Sequence, residues 1–260
     1  MVEVQDFPIP IPIPNDDQIL VKDALRVHLR IRFDVHVIYD GFHNPVYLGK
    51  PEYPGHEGIG IVPIAETKEG KPNNAATIGA GSAELFYLQH LLARGIDVMI
   101  SDLNEERLAV PEKLGASRIV HEPNASIVDA ALEATDRVGL DLVIEAAGFD
   151  VTCAAAAEAV RIRGTVGFFG YPQLKGLAPF PVERPFCKSL TMEWINGTQA
   201  EEGLKSFRAA VEAIKNGSIE VDHRLEAQYQ VRDAPAAFEA ARQQGHGKVK
   251  IGINLPGAGE

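Results

Sequence analysis

Between residues 75 and 195 the chain alternates short apolar runs with helical patterns, and this rhythm restricts the fold more than any other feature. The runs fall at 75–78, 97–100, 119–120, 140–144, 165–169 and 190–195. Between them, Leu85, Leu88, Leu91 and Leu92 recur at helical spacing, and further helices are expected over 104–114, 126–134 and 151–160. Gly115 stops the second of these, and Pro111 inside it should kink or shorten it. The middle runs are apolar at consecutive positions, as expected when helices cover both faces of a parallel sheet. Residues 73–199 therefore read as an α/β unit, a doubly wound parallel sheet made of two mononucleotide halves.

The flanks read differently. Residues 8–14 spell PIPIPIP, where proline at every second position removes alternate backbone donors and forces an extended arm. From 18 to 62 the pattern is one of short strands and loops, with 19–21 and 58–62 the clearest apolar runs. A polar, turn-rich stretch over 66–74 marks a boundary. After residue 199, Leu204, Phe207, Val211 and Ile214 share a helical face ended by Gly217. Asp233 should cap a short helix with Pro235 in its first turn. Lysine alternates with Val249, Ile251 and Ile253 in a half-buried strand expected to return to the N-terminal segment. The two ends, 1–72 and 200–260, thus form a reduced, mainly β lobe.

Composition excludes several roles. Acidic residues number 36 against 25 basic ones, and a net charge of −11 repels phosphate backbones and anionic lipid heads. Nucleic acid and membrane are therefore not expected partners. At 45% hydrophobic and 23% charged residues, the chain can bury a core and is not disordered. Cys153 and Cys187 are too few for a disulfide framework and are expected to be small buried apolar residues. No leader pattern and no apolar run of the roughly 18 residues needed for a membrane span is evident, so a cytoplasmic location is expected.

The first strand-to-helix turn holds Gly79-Ala80-Gly81, and Asp102 ends the second strand 23 residues after Gly79. The first glycine permits the tight turn and the second lets the main chain approach a pyrophosphate. The amides of Ser82 and Ala83, at the helix start, then face that anion. A carboxylate at Asp102 accepts hydrogen bonds from ribose hydroxyls and repels a 2′-phosphate, which favours NAD over NADP. Arg107, one turn into the next helix, is placed beside the adenosine. The third glycine position is taken by Glu84. Its charge favours the helix dipole but opposes a bound pyrophosphate, unless the side chain points to solvent.

These motifs continue in Asp34-Val35-His36 with Tyr39-Asp40-Gly41, Pro54-Gly55-His56-Glu57-Gly58, Ser101-Asp102, Lys113-Leu114-Gly115-Ala116, Val143-Ile144-Glu145-Ala146-Ala147-Gly148 and Gly164-Thr165-Val166. Taken in order with Ile78-Gly79-Ala80-Gly81, they resemble the medium-chain dehydrogenase/reductase superfamily, and within it the zinc-type alcohol and polyol dehydrogenases. The resemblance implies a Rossmann domain and a catalytic-type lobe built from both chain ends. It also implies a zinc ion in a cleft facing the nicotinamide. Carried over by position, His56 is a metal ligand, Glu57 a ligand or a supporting group, and His36 the histidine that relays the alcohol proton.

The chain departs from that pattern in several places. Ile31 stands where the first ligand cysteine is expected and Phe33 where a hydroxyl passes the proton along. Residues 63–78 alone separate Val62 from Gly79, so the part of the lobe that carries the last ligand and a structural zinc loop is missing. His56 and Glu57 supply two of the three protein ligands a catalytic zinc takes, and they read equally well as a hydrogen-bonded pair without metal. Glu145 ends the fourth strand, either near the nicotinamide or as a cap on the following loop. Two functions remain: an NAD-dependent oxidoreductase acting on a secondary alcohol or polyol and its carbonyl, or an NAD-binding relative without redox activity. The apolar edge run 190–195, with Met192 and Trp194, predicts a homodimer.

Overall fold

The computed structural model describes residues 26–29, 70–122, 124–172, 177, 179–195, 205–224, 227–243 and 247–254. The chain divides into two compact units, Gly60–Glu220 and a second drawn from Met1–Ile59 with Val221–Glu260. The second unit contributes β1 (Arg26–Leu29). The first runs β2 (Asn74–Ile78), α1 (Ser82–Ala93), β3 (Asp97–Asp102), α2 (Glu105–Lys113), β4 (Arg118–His121), α3 (Ile127–Ala134) and β5 (Leu140–Glu145). It continues with α4 (Asp150–Ala159), β6 (Val160–Phe168), α5 (Glu183–Lys188), β7 (Thr191–Trp194) and α6 (Lys205–Lys215). The chain then returns to the second unit with β8 (Gln228–Gln230), α7 (Ala234–Arg242) and β9 (Ile251–Asn254).

The first unit is built on a parallel sheet with strand order β4-β3-β2-β5-β6-β7. Starting at β2, the chain winds outward through β3 and β4, then crosses back to β5 and winds the other way. This is the doubly wound α/β fold expected from the sequence, and its winding reverses between β2 and β5. A crevice forms beyond the carboxyl ends of the strands at such a reversal. Burial explains why these segments are strands. All six residues of β5 are buried, as are four of the five in β2. α1 buries Leu85, Leu88 and Leu91 with 1% exposure or less, each worth about 1.5–3 kcal/mol relative to the exposed side chain.

Local signals set the helix starts. The Asn104 side chain accepts a hydrogen bond from the Arg107 amide at 3.2 Å to open α2, and Ser126 Oγ accepts from the Val128 amide at 3.2 Å to open α3. Pro111, expected to kink or shorten α2, lies inside the helix. The proline falls in the last turn, and the helix runs to Lys113 before Gly115 turns the chain at φ +96°. β6 starts at Val160, five residues earlier than its apolar run suggested.

In the second unit the sheet order is β1-β9-β8, with β1 antiparallel and β8 parallel to β9. Arg26 pairs with Asn254 and Leu29 with Ile251, so the C-terminal strand does return to an N-terminal one. α7 packs Ala237, Phe238 and Ala241 with Ile251 and Ile253. Two expectations fail here. Asp233 stands at the start of α7 but its side chain makes no capping bond. Residues 249–253 are buried rather than half-buried, Lys250 included, while Lys248 stays exposed; β9 is the middle strand of its sheet. The PIPIPIP arm and the runs at 19–21 and 58–62 lie outside the described residues. Among the described residues no helix is long and apolar enough to cross a membrane.

Candidate functional site

The carboxyl ends of β2, β3 and β5 bring together residues far apart in sequence. Gly79 follows β2 with φ +108°, a conformation that L side chains rarely adopt, and Gly81 precedes the first residue of α1. The Gly79 amide donates to the Ser101 carbonyl at 2.8 Å, which ties the turn to β3. Asp102, at the end of β3, braces the same turn. Its Oδ2 accepts from the Ala80 amide and its Oδ1 from the Asn104 amide, both at 2.7 Å. Each carboxylate oxygen carries a further lone pair, so the group can still accept from a sugar hydroxyl. Asn104 in turn holds the first turn of α2 by accepting from the Arg107 amide.

The structure corrects the alternative in which Glu84 points to solvent. Glu84 is 8% exposed, and its carboxylate folds back over the glycine turn. A Cβ placed on Gly79 would lie 2.6 Å from Glu84 Oε1, and one placed on Gly81 would lie 2.9 Å from Oε2. The turn is therefore a cradle of the right shape for an anion, with a carboxylate of the chain itself resting in it.

Glu145 ends β5 on the other side of the crevice and is fully buried. Its Oε1 accepts from the Gly148 amide at 2.8 Å, the Ala147 amide at 2.9 Å and the Thr152 hydroxyl at 2.7 Å. Its backbone carbonyl accepts from the Phe169 amide at 2.8 Å and the Gly170 amide at 3.0 Å. Burial holds the carboxyl above the ordinary carboxylate range, against the opposing pull of the Thr152, Gly148 and Ala147 donors. The loops after β5 and β6 touch closely here: a Cβ on Gly148 would meet the Tyr171 carbonyl oxygen at 2.2 Å. Phe169 also packs edge-on against Tyr87 of α1, with ring centroids 5.4 Å apart. Glu145 thus organises the loop after β5, the capping role that the sequence left open. The roles of Thr152 and Gly170 were not read from the sequence, where the only signal was a glycine soon after each strand end.

The remaining expectations divide. Cys153 is half-buried beside Glu145, and burial together with the Glu145 and Asp150 charges pushes its thiol up to about 12, which disfavours the reactive thiolate. Cys187 is exposed, not buried as expected, because it lies on the outward side of the short α5. His36, His56 and Glu57 lie outside the described residues. Among the described residues no three His, Cys, Asp or Glu side chains are grouped to share a metal ion. β7 is the sheet edge, as expected, with Trp194 69% exposed and stacked on Phe168 at 5.1 Å.

The fold places the chain in the class of doubly wound α/β domains, with a glycine turn and an acidic residue at the point where the winding reverses. Comparison with known proteins narrows the class. The zinc-binding dehydrogenase profile matches residues 85–216, half of the chain, and the chain belongs to that family. An alcohol dehydrogenase of Cupriavidus necator is 26% identical over 156 residues, covering 60% of this chain and 42% of that protein. An L-threonine 3-dehydrogenase of Marinomonas sp. is 25% identical over 233 residues, covering 90% and 62% respectively. A Sinorhizobium meliloti protein classed as a zinc-binding dehydrogenase and solved with NADP bound superposes with a TM-score of 0.63. It is 20% identical, and the superposition covers 74% of this chain and 54% of that one. The chain spans about half the length of the relatives it matches.

Proposed function

We propose that this protein is an oxidoreductase that binds NAD in the crevice between β2 and β5 and acts on a secondary alcohol or polyol and its carbonyl counterpart. The observation that carries this reading is the Asp102 carboxylate, fastened to the Ala80 and Asn104 amides at 2.7 Å beside the glycine turn. In that position it takes the adenosine ribose hydroxyls and disfavours a 2′-phosphate. The amides of Gly81, Ser82 and Ala83, with the open faces of Gly79 and Gly81, receive the diphosphate once the Glu84 side chain is turned aside. Arg107, one turn into α2, would flank the adenosine of a bound coenzyme. Glu145 holds the 146–149 loop in one conformation and so fixes the wall against which a nicotinamide ring is oriented. The coenzyme, when bound, supplies the hydride acceptor or donor.

Residues 73–199 are assigned to this dinucleotide-binding role, and 1–72 with 200–260 to a reduced catalytic-type lobe. Proton transfer is assigned to His36 or His56, since histidine is the side chain whose unperturbed pKa suits general-base work near neutral pH. His56 and Glu57 are also the donor pair for a zinc ion. They supply two of the three protein ligands such a centre takes, so no chemical step is routed through a metal. Two copies are expected to pair through the exposed β7 edge.

Nicotinamide absorbance, followed over a panel of secondary alcohols and polyols, tests the activity. Calorimetry on Asp102→Ser tests the site. Loss of at least about tenfold in NAD affinity, with the NAD to NADP ratio shifting toward NADP by a similar factor, is expected. An unchanged ratio overturns the assignment of Asp102. A second reading, an NAD-binding protein without redox activity, is favoured by the carboxylate in the cradle; it predicts binding without turnover.

A further inference from the structure

We infer that Glu84 is a built-in competitor for the diphosphate seat, and that it is the residue setting how tightly this chain holds a dinucleotide. The inference rests on the nucleotide-binding reading above. Glu84 is the third residue of α1, the position from which a glutamate reaches back toward the helix start. The first turn of a helix presents amides without intrahelical partners and the positive end of the helix dipole, the same groups that take a phosphate. Glu84 spans this seat with one oxygen over each glycine: Oε1 is 2.6 Å from the Cβ position of Gly79 and Oε2 is 2.9 Å from that of Gly81. At 8% exposure the carboxylate is settled in the turn rather than waving in solvent.

The turn therefore accommodates one anion at a time. A diphosphate entering the cradle meets like charge at close range and must displace the carboxylate, which lowers affinity by about tenfold or more. Adenosine lacks the diphosphate and meets Asp102 rather than the glycine turn, so its affinity is independent of Glu84. In the dinucleotide fingerprint of this fold the third glycine position, kept for close helix–strand packing, carries no side chain. Here the first helical turn supplies its own ligand, and dinucleotide binding is coupled to movement of one side chain.

The test is calorimetric titration of adenosine and of ADP into the full chain and into Glu84→Gly and Glu84→Gln. Glu84→Gly is expected to bind ADP at least about tenfold more tightly than the wild type, and Glu84→Gln to show a smaller gain because bulk remains while charge is removed. Adenosine affinity is expected to stay within about twofold throughout. Thermal unfolding of each variant establishes that it is folded, and the near-isosteric Glu84→Gln covers the case in which glycine weakens the helix. ADP affinity unchanged in both variants, or a parallel gain for adenosine, overturns the inference while leaving the nucleotide site intact. If folded wild type and both variants bind neither adenosine nor ADP, the nucleotide-binding reading falls and the inference falls with it.

Discussion

Replacing Glu145 with alanine should unhinge the loop after β5. The carboxylate Oε1 is the shared acceptor for the Gly148 amide at 2.8 Å, the Ala147 amide at 2.9 Å and the Thr152 hydroxyl at 2.7 Å. In Glu145→Ala the Thr152 hydroxyl keeps the Phe149 carbonyl at 2.8 Å as a partner, but the two amides lose their acceptor. Losing the acceptor of the buried Gly148 amide costs about 1–3 kcal/mol, the half-buried Ala147 amide adds less, and the cavity left in a fully buried site adds to this. The expected loss is therefore about 3–5 kcal/mol. Glu145→Gln keeps an acceptor oxygen of the same reach and should stay within about 1 kcal/mol of the wild type at neutral pH. The assay is urea unfolding followed by fluorescence of Trp194, the one tryptophan of the chain, which stacks on Phe168 in the same sheet. With a urea slope of about 1–3 kcal/mol per molar, the alanine midpoint should fall by about 1 M or more. An alanine midpoint equal to that of the glutamine variant would refute the claim that this acceptor holds the loop.

Two further outcomes follow from the same corner of the fold. Burial raises the Glu145 carboxyl above its ordinary value of 4.5, so the folded state holds this proton more tightly than the unfolded chain does. The contribution is fully present below 4.5 and is lost as pH rises through the folded-state value; the stability of wild type relative to Glu145→Gln should decline as pH is raised from 4.5, and a rise would contradict the burial argument. Thiol labelling at mildly alkaline pH should modify one cysteine per native chain, the exposed Cys187, while Cys153, with its thiol pushed up to about 12, reacts only after unfolding; fast labelling of both would show the Glu145 corner to be open.

Spacing along the chain was enough to reveal the alternation of strand and helix, the glycine turn after β2 and the acid 23 residues beyond it. Those signals are local. An apolar strand buried on both faces needs consecutive apolar residues, and a turn at φ +108° favours glycine whatever surrounds it. The winding order could also be anticipated, because short crossover connections leave few topologies open to such a rhythm. The C-terminal strand was legible as a strand, yet not its depth of burial, since Lys250 alternates like a surface residue and only its place beside the middle strand of the sheet encloses it.

The sequence determined that position 84 carries a charge in the first turn of α1 and that position 145 carries one at the end of β5. It could not determine where either side chain goes. That was decided by tertiary structure, because a rotamer takes the direction in which unpaired donors and open space coincide. For Glu84 the open space lies over the bare faces of Gly79 and Gly81, and for Glu145 the donors are the amides of a loop pressed against Gly170 and Tyr171. Whether a carboxylate repels a ligand, occupies its seat or ties a loop depends on neighbours brought together across the sheet, and the spacing of residues along the chain carries no record of them.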